Sequence, residues 1–136
     1  MGPMGKPLNI SQNPIHLGLG ATAEVLPDFT GDMGWYMSYA QSHDADGAEG
    51  RLVMVSNFDE SWDSWEVHPN GDEVVLCTAG EITLHQEHAD GSTDTVTLGP
   101  GEYAVNPPGT WHTADVSAPA TALFIAAGQG TDHRPR

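Results

Sequence analysis

A chain of 136 residues can enclose one hydrophobic core without staples, and its single cysteine, Cys77, has no partner for an intrachain disulfide. Nineteen Asp and Glu against four Lys and Arg give a formal charge of −15, a surface that repels phosphate backbones and anionic lipid headgroups. Nucleic-acid and membrane partners are therefore not expected.

In chain order, Met1-Gly2-Pro3-Met4-Gly5-Lys6-Pro7 lacks the apolar stretch of a signal peptide, and a cytoplasmic location is expected. Residues 1–14 read as an irregular arm, and Ile15–Leu26 as one or two strand-like pieces. Trp35–Ala40 alternates aromatic and polar residues and predicts a strand, followed by a turn-rich loop over His43–Gly50. Strands are then predicted at Arg51–Phe58, Ser64–His68, Glu73–Thr78 and Glu81–His88. Ala79-Gly80 and Asp90-Gly91 supply turns. Further strands follow at Thr93–Leu98, Tyr103–Asn106, Trp111–Val116 and Thr121–Ala127, among the Gly/Pro turns of Gly99-Pro100-Gly101 and Pro107-Pro108-Gly109. Sixteen Gly and ten Pro suit so many tight turns. About ten short strands at such spacing are the cue for an all-β sandwich or barrel. One domain is expected over residues 1–136. It comprises an arm with the first strands at 1–30, a barrel at 31–128 and a polar tail at 129–136.

Chemistry concentrates at two of these turns. Glu66 and His68 are two residues apart, so on a strand both side chains leave by one face. The Pro69-Asn70-Gly71-Asp72 turn can bring Glu73 back beside them, and His112 arrives from a distant strand. Two carboxylates and two neutral imidazoles suit a divalent metal such as Fe(II), Mn(II), Ni(II) or Zn(II). The plainer alternative is a set of polar residues on a hairpin rim. His16, His43, His85, His88 and His133 have no ligand partners at useful spacing, and Cys77 is expected to be a small buried residue. Bulky residues on or near the strands (Tyr39, Met54, Trp62, Trp65, Tyr103 and Phe124) are candidates for pocket wall, plain core or dimer contact. Trp111 should face away from His112, and Arg51 could anchor a substrate carboxylate or stand exposed at a strand start.

These residues resemble the two motifs of the cupins, G-x5-H-x-H-x3,4-E-x6-G and G-x5-P-x-G-x2-H-x3-N. His68, Glu73 and Gly80 keep the first spacing, and Gly101, Pro107, Gly109 and His112 keep the second. Glu60 stands where the opening Gly is expected, Glu66 replaces the first His, and Val116 replaces the closing Asn. The resemblance implies a single jelly-roll β-barrel and one divalent ion held by His68, Glu73 and His112. Glu66 is then a fourth ligand, a nearby catalytic base, or a side chain turned away toward Trp62 or backbone. Occupancy should fall as pH drops through roughly 6.5, the unperturbed His value. A metal-dependent enzyme acting on a small organic molecule, by oxygenase-type or isomerase/lyase-type chemistry, is the first functional expectation. A non-catalytic metal- or ligand-binding sensor is the alternative, and a metal-free structural barrel is disfavoured by the surviving trio. Cupin-like barrels commonly pair through their sheet faces, so a homodimer is expected.

Overall fold

The turn residues divide the chain into short antiparallel strands. The computed structural model describes residues 5–136. Among them are eleven strands and one α-helix: β1 (Ile15–Gly18), β2 (Thr22–Val25), α1 (Met33–His43), β3 (Arg51–Phe58), β4 (Ser64–Val67), β5 (Glu73–Ala79), β6 (Ile82–Glu87), β7 (Thr93–Leu98), β8 (Tyr103–Asn106), β9 (Trp111–Asp115), β10 (Ala120–Ala126) and β11 (Asp132–Pro135). They form a six-stranded sheet, β2-β1-β3-β10-β5-β8, and a five-stranded sheet, β11-β4-β9-β6-β7. The non-consecutive neighbours make this a jelly roll, a double-stranded β-helix with two hydrogen-bonded sheets.

Period-two burial builds the core between those sheets. Val75 and Cys77 on β5, with Ala122 and Phe124 on β10, meet Ile82 of β6, Leu98 of β7 and Ala114 of β9. The same inward parity continues to Glu73 at the start of β5 and to His112 on β9, both almost fully buried. Cys77 is a free, fully buried thiol, as expected. Gly80 takes φ +76°, and a Cβ there would lie 2.6 Å from the Pro119 carbonyl oxygen. Only glycine fits that turn.

Two expectations need correction. The Trp35–Ala40 segment is not a strand but the middle of α1, whose N-cap Asp32 accepts from the Trp35 amide at 2.8 Å. Trp35 is the helix's one buried residue, while Met33, Tyr36 and Met37 are exposed, so no apolar stripe announces the helical period. The loop after α1 contains a short 3-10 segment at Asp44–Glu49, tied to β1 through His16. Buried His16 donates from Nε2 to Asp46 at 2.6 Å and accepts at Nδ1 from the Tyr39 hydroxyl at 2.7 Å. The second correction concerns the polar tail. Its residues Asp132–Pro135 form β11, paired antiparallel with β4. No helix among the described residues is long and apolar enough to cross a membrane.

Candidate metal centre

Strand pairing brings the four motif residues to one face. Glu66 on β4 lies opposite His112 on β9, and Glu73 begins β5 after the turn that follows His68. One potential ligand atom from each of Glu66, His68, Glu73 and His112 falls in a group within 4.8 Å of one another. His68 Nε2 is 2.9 Å from Glu66 Oε1 and 3.0 Å from Glu73 Oε2. His112 Nε2 is 2.9 Å from Glu73 Oε1 and 3.6 Å from Glu66 Oε1.

These separations are short enough for ion pairing, yet neither Nε2 has a hydrogen-bond partner. The other ring nitrogens explain which atom carries the lone pair. The single hydroxyl proton of Thr131 goes to the Gly128 carbonyl at 2.8 Å, so Thr131 Oγ1 accepts from His68 Nδ1–H at 2.8 Å. His112 Nδ1 faces the Thr110 carbonyl at 3.4 Å, an acceptor that also favours a proton there. In each neutral ring, Nε2 therefore presents its lone pair to carboxylate oxygens. Four electron-rich atoms packed together need a positive charge among them. Ligands about 2.1 Å from a shared ion lie about 3 Å apart when adjacent in an octahedron, a spacing met by three of the four imidazole–carboxylate separations. The donor set fits a divalent metal.

Protons are the competing source of positive charge. Burial opposes protonation of His68, but the adjoining Glu66 and Glu73 carboxylates outweigh it and lift the ring to about 10. The same balance lifts His112 to about 9. Burial would raise Glu66 and Glu73, yet the two imidazoles hold both carboxyls below the usual carboxylate range.

Residues behind the cluster aim it. Asn106 donates to Glu73 Oε1 at 2.9 Å and accepts from Gln86 at 2.7 Å, a buried relay that fixes the carboxylate. His133 on β11 donates from Nε2 to Glu66 Oε2 at 2.8 Å. Sequence spacing gave no reason to place His133 here; it depends on the pairing of β11 with β4. Of the remaining histidines, His85 meets Asp115, His88 meets Asp94 and His43 meets Glu24, none within the cluster.

The candidate wall residues separate by face. Trp62 packs edge-on to His112 with ring centroids 5.9 Å apart, and Phe58 and Phe124 pack around it. The Trp62 indole N–H is buried without a partner, so Glu66 does not turn toward it. Met54 belongs to the core, Tyr103 is exposed, and Tyr39 lies on α1 rather than on a barrel strand. Trp65 and Trp111 face outward, where the Arg134 guanidinium lies 5.2 and 4.6 Å from their ring centres. The Glu66 side chain is 25% exposed, against 8% for His68, 2% for Glu73 and 0% for His112, so solvent reaches the cluster from the Glu66 side. The Tyr36 phenol is pushed up by burial and then by the charge of Glu66.

A family model described as a cupin domain matches residues 53–127, more than half of the chain. Among solved structures, an oxalate oxidase aligns with a TM-score of 0.55 at 15% identity, over 68% of this chain and 50% of its own. The Bacillus subtilis oxalate decarboxylase, described with Mn(II) centres, gives 0.54 at 14% identity, over 71% of this chain and 26% of its own. An uncharacterized conserved protein from Klebsiella pneumoniae with a double-stranded β-helix domain gives 0.52 at 24% identity, over 63% of this chain and 76% of its own. At these identities the likeness is one of fold, and the chain spans only half of the oxidase and about a quarter of the decarboxylase. No protein of curated function matches the sequence.

Proposed function

Because this chain belongs to the cupin family, we propose that Glu66, His68, Glu73 and His112 hold one divalent metal at which a small organic molecule is transformed. The observation that carries the proposal is the gathering of four potential ligand atoms, one each from Glu66, His68, Glu73 and His112, within 4.8 Å of one another. Two carboxylates and two imidazoles neutralise a divalent ion, a balance that favours the harder Fe(II) or Mn(II) over Zn(II) or Ni(II). When bound, such an ion supplies Lewis acidity and open positions for oxygen or a chelating substrate.

The chain's own residues do the rest. Trp62 offers a buried indole N–H to a polar atom of the bound molecule, with Phe58 and Phe124 as apolar wall around it. Glu66, the most exposed of the four, can take up a proton at the solvent side if its hold on the metal loosens. Oxygenase-type and isomerase/lyase-type reactions both use such a site. A small-molecule substrate, a cytoplasmic location and a homodimer complete the proposal, with exposed Tyr103 and Val105 on edge strand β8 offering apolar area to a second copy.

Protein purified without nickel resin is expected to carry close to one equivalent of iron or manganese by elemental analysis. Oxygen-electrode assays with chelating organic acids and catechol-like compounds then separate the reaction classes: oxygen uptake marks an oxygenase, and turnover without it an isomerase or lyase. A protein that takes up no divalent ion would end the proposal.

A further inference from the structure

We infer that His133 is a positioning residue: by holding Oε2 of Glu66 it limits that carboxylate to one oxygen at the metal and keeps a coordination position open for a small ligand. The inference rests on the metal-centre reading above. The two glutamates differ in how they meet the imidazoles. Glu73 turns one oxygen to each imidazole, Oε1 to His112 at 2.9 Å and Oε2 to His68 at 3.0 Å. Glu66 shows both imidazoles the same oxygen, Oε1, while Oε2 is occupied by the His133 N–H at 2.8 Å. A carboxylate with both oxygens free can close on a cation bidentately. With one oxygen engaged by a donor, it offers the cation the other.

The strand that delivers His133 is anchored independently of the cluster. In antiparallel register His133 faces Glu66, which faces His112, so the three side chains share one face across β11, β4 and β9. The next residue, Arg134, points to the opposite face, over Trp65 and Trp111, and pairs with Glu87 at 2.8 Å. Arg136 adds contacts to the Trp62 carbonyl at 3.0 Å and to Asp115 at 2.6 Å. Just before β11, Thr131 holds the ring of His68. The C-terminal segment thus contacts two proposed ligands from outside. His133 itself is 57% exposed, so it contributes little to the core and its substitution leaves the fold intact. It also stands at the solvent-facing ligand, where an incoming molecule would arrive.

The test uses the full chain loaded with cobalt(II), with azide as the probe ligand followed by the visible d–d spectrum. Wild-type protein is expected to bind azide with a change in band position and intensity. His133→Ala should still fill with cobalt(II) supplied in excess and keep its thermal midpoint but bind azide at least about tenfold more weakly, as Glu66 closes on the ion with both oxygens. His133→Asn, which keeps an N–H donor, should recover most of the azide affinity. Three results would overturn the inference while leaving the metal centre standing: a wild-type cobalt form indifferent to azide, a His133→Ala form matching wild type, or a His133→Ala form that loses its cobalt. Failure of the wild-type chain to take up cobalt(II) would overturn both.

Discussion

Replacing His112 with alanine is expected to lower divalent-metal affinity by more than about 100-fold, because losing even an outer partner of a ligand typically costs 10- to 100-fold. His112 is fully buried and its Nε2 lies among the carboxylates of Glu73 and Glu66, so no water-exposed group can replace it. The metal-free variant should suffer as well. With the imidazole gone, buried Glu73 and half-buried Glu66 share the positive charge available from His68. Removing one partner of a buried ion pair costs about 3–5 kcal/mol. Calorimetric metal titration and urea denaturation in chelator measure the two effects separately. Wild-type metal affinity in the variant would remove His112 from the ligand set.

The second large effect is on pH. The unperturbed imidazole value of roughly 6.5 would place the loss of metal in mildly acidic solution. The carboxylates move that competition upward, since they lift His68 to about 10 and His112 to about 9. Below about pH 9 a metal ion must therefore displace a proton from each ring, and its apparent affinity should fall up to about 100-fold for each unit of pH lost. Titrations at pH 7 and 8, in buffers of different ionisation enthalpy, are expected to show release of close to two protons per metal. Release of none would mean that the imidazoles are already neutral. Metal-free stability has the opposite dependence. The raised imidazoles add stability that is complete below about 6.5 and is lost as pH rises through 9 to 10. The lowered carboxyls of Glu66 and Glu73 add stability present above 4.5 and lost as pH falls. Metal-free protein should thus be most stable between those limits, and loading should extend stability to alkaline pH.

Much of this arrangement is legible in the sequence. Strands β3, β7 and β8 occupy the residues that turn signals and β-branched runs mark out, because Gly and Pro punctuate short strands unambiguously. The four clustered side chains follow from strand parity and motif spacing. Trp111 faces outward because it alternates with His112, and Cys77 inward because it shares the parity of Val75. What stayed hidden depends on tertiary pairing. Helix α1 exposes Met33 and Met37 instead of a polar face, so neither its period nor its amphipathicity shows in the sequence. Asp32 was the one local signal for it, as a cap. The role of His133 arises only once β11 pairs with β4, 67 residues back along the chain. Thr131 and Asn106 are likewise ordinary polar residues until the fold places them against His68 and Glu73.

Crystals of the protein soaked in Mn(II) and measured for anomalous scattering give the most direct test of the metal centre. One anomalous peak is expected between Nε2 of His68, Nε2 of His112 and the carboxylates of Glu73 and Glu66, at about 2.0–2.3 Å from each donor atom. A peak elsewhere, or none there at millimolar Mn(II) and pH 8, would contradict the assignment of these four residues as ligands.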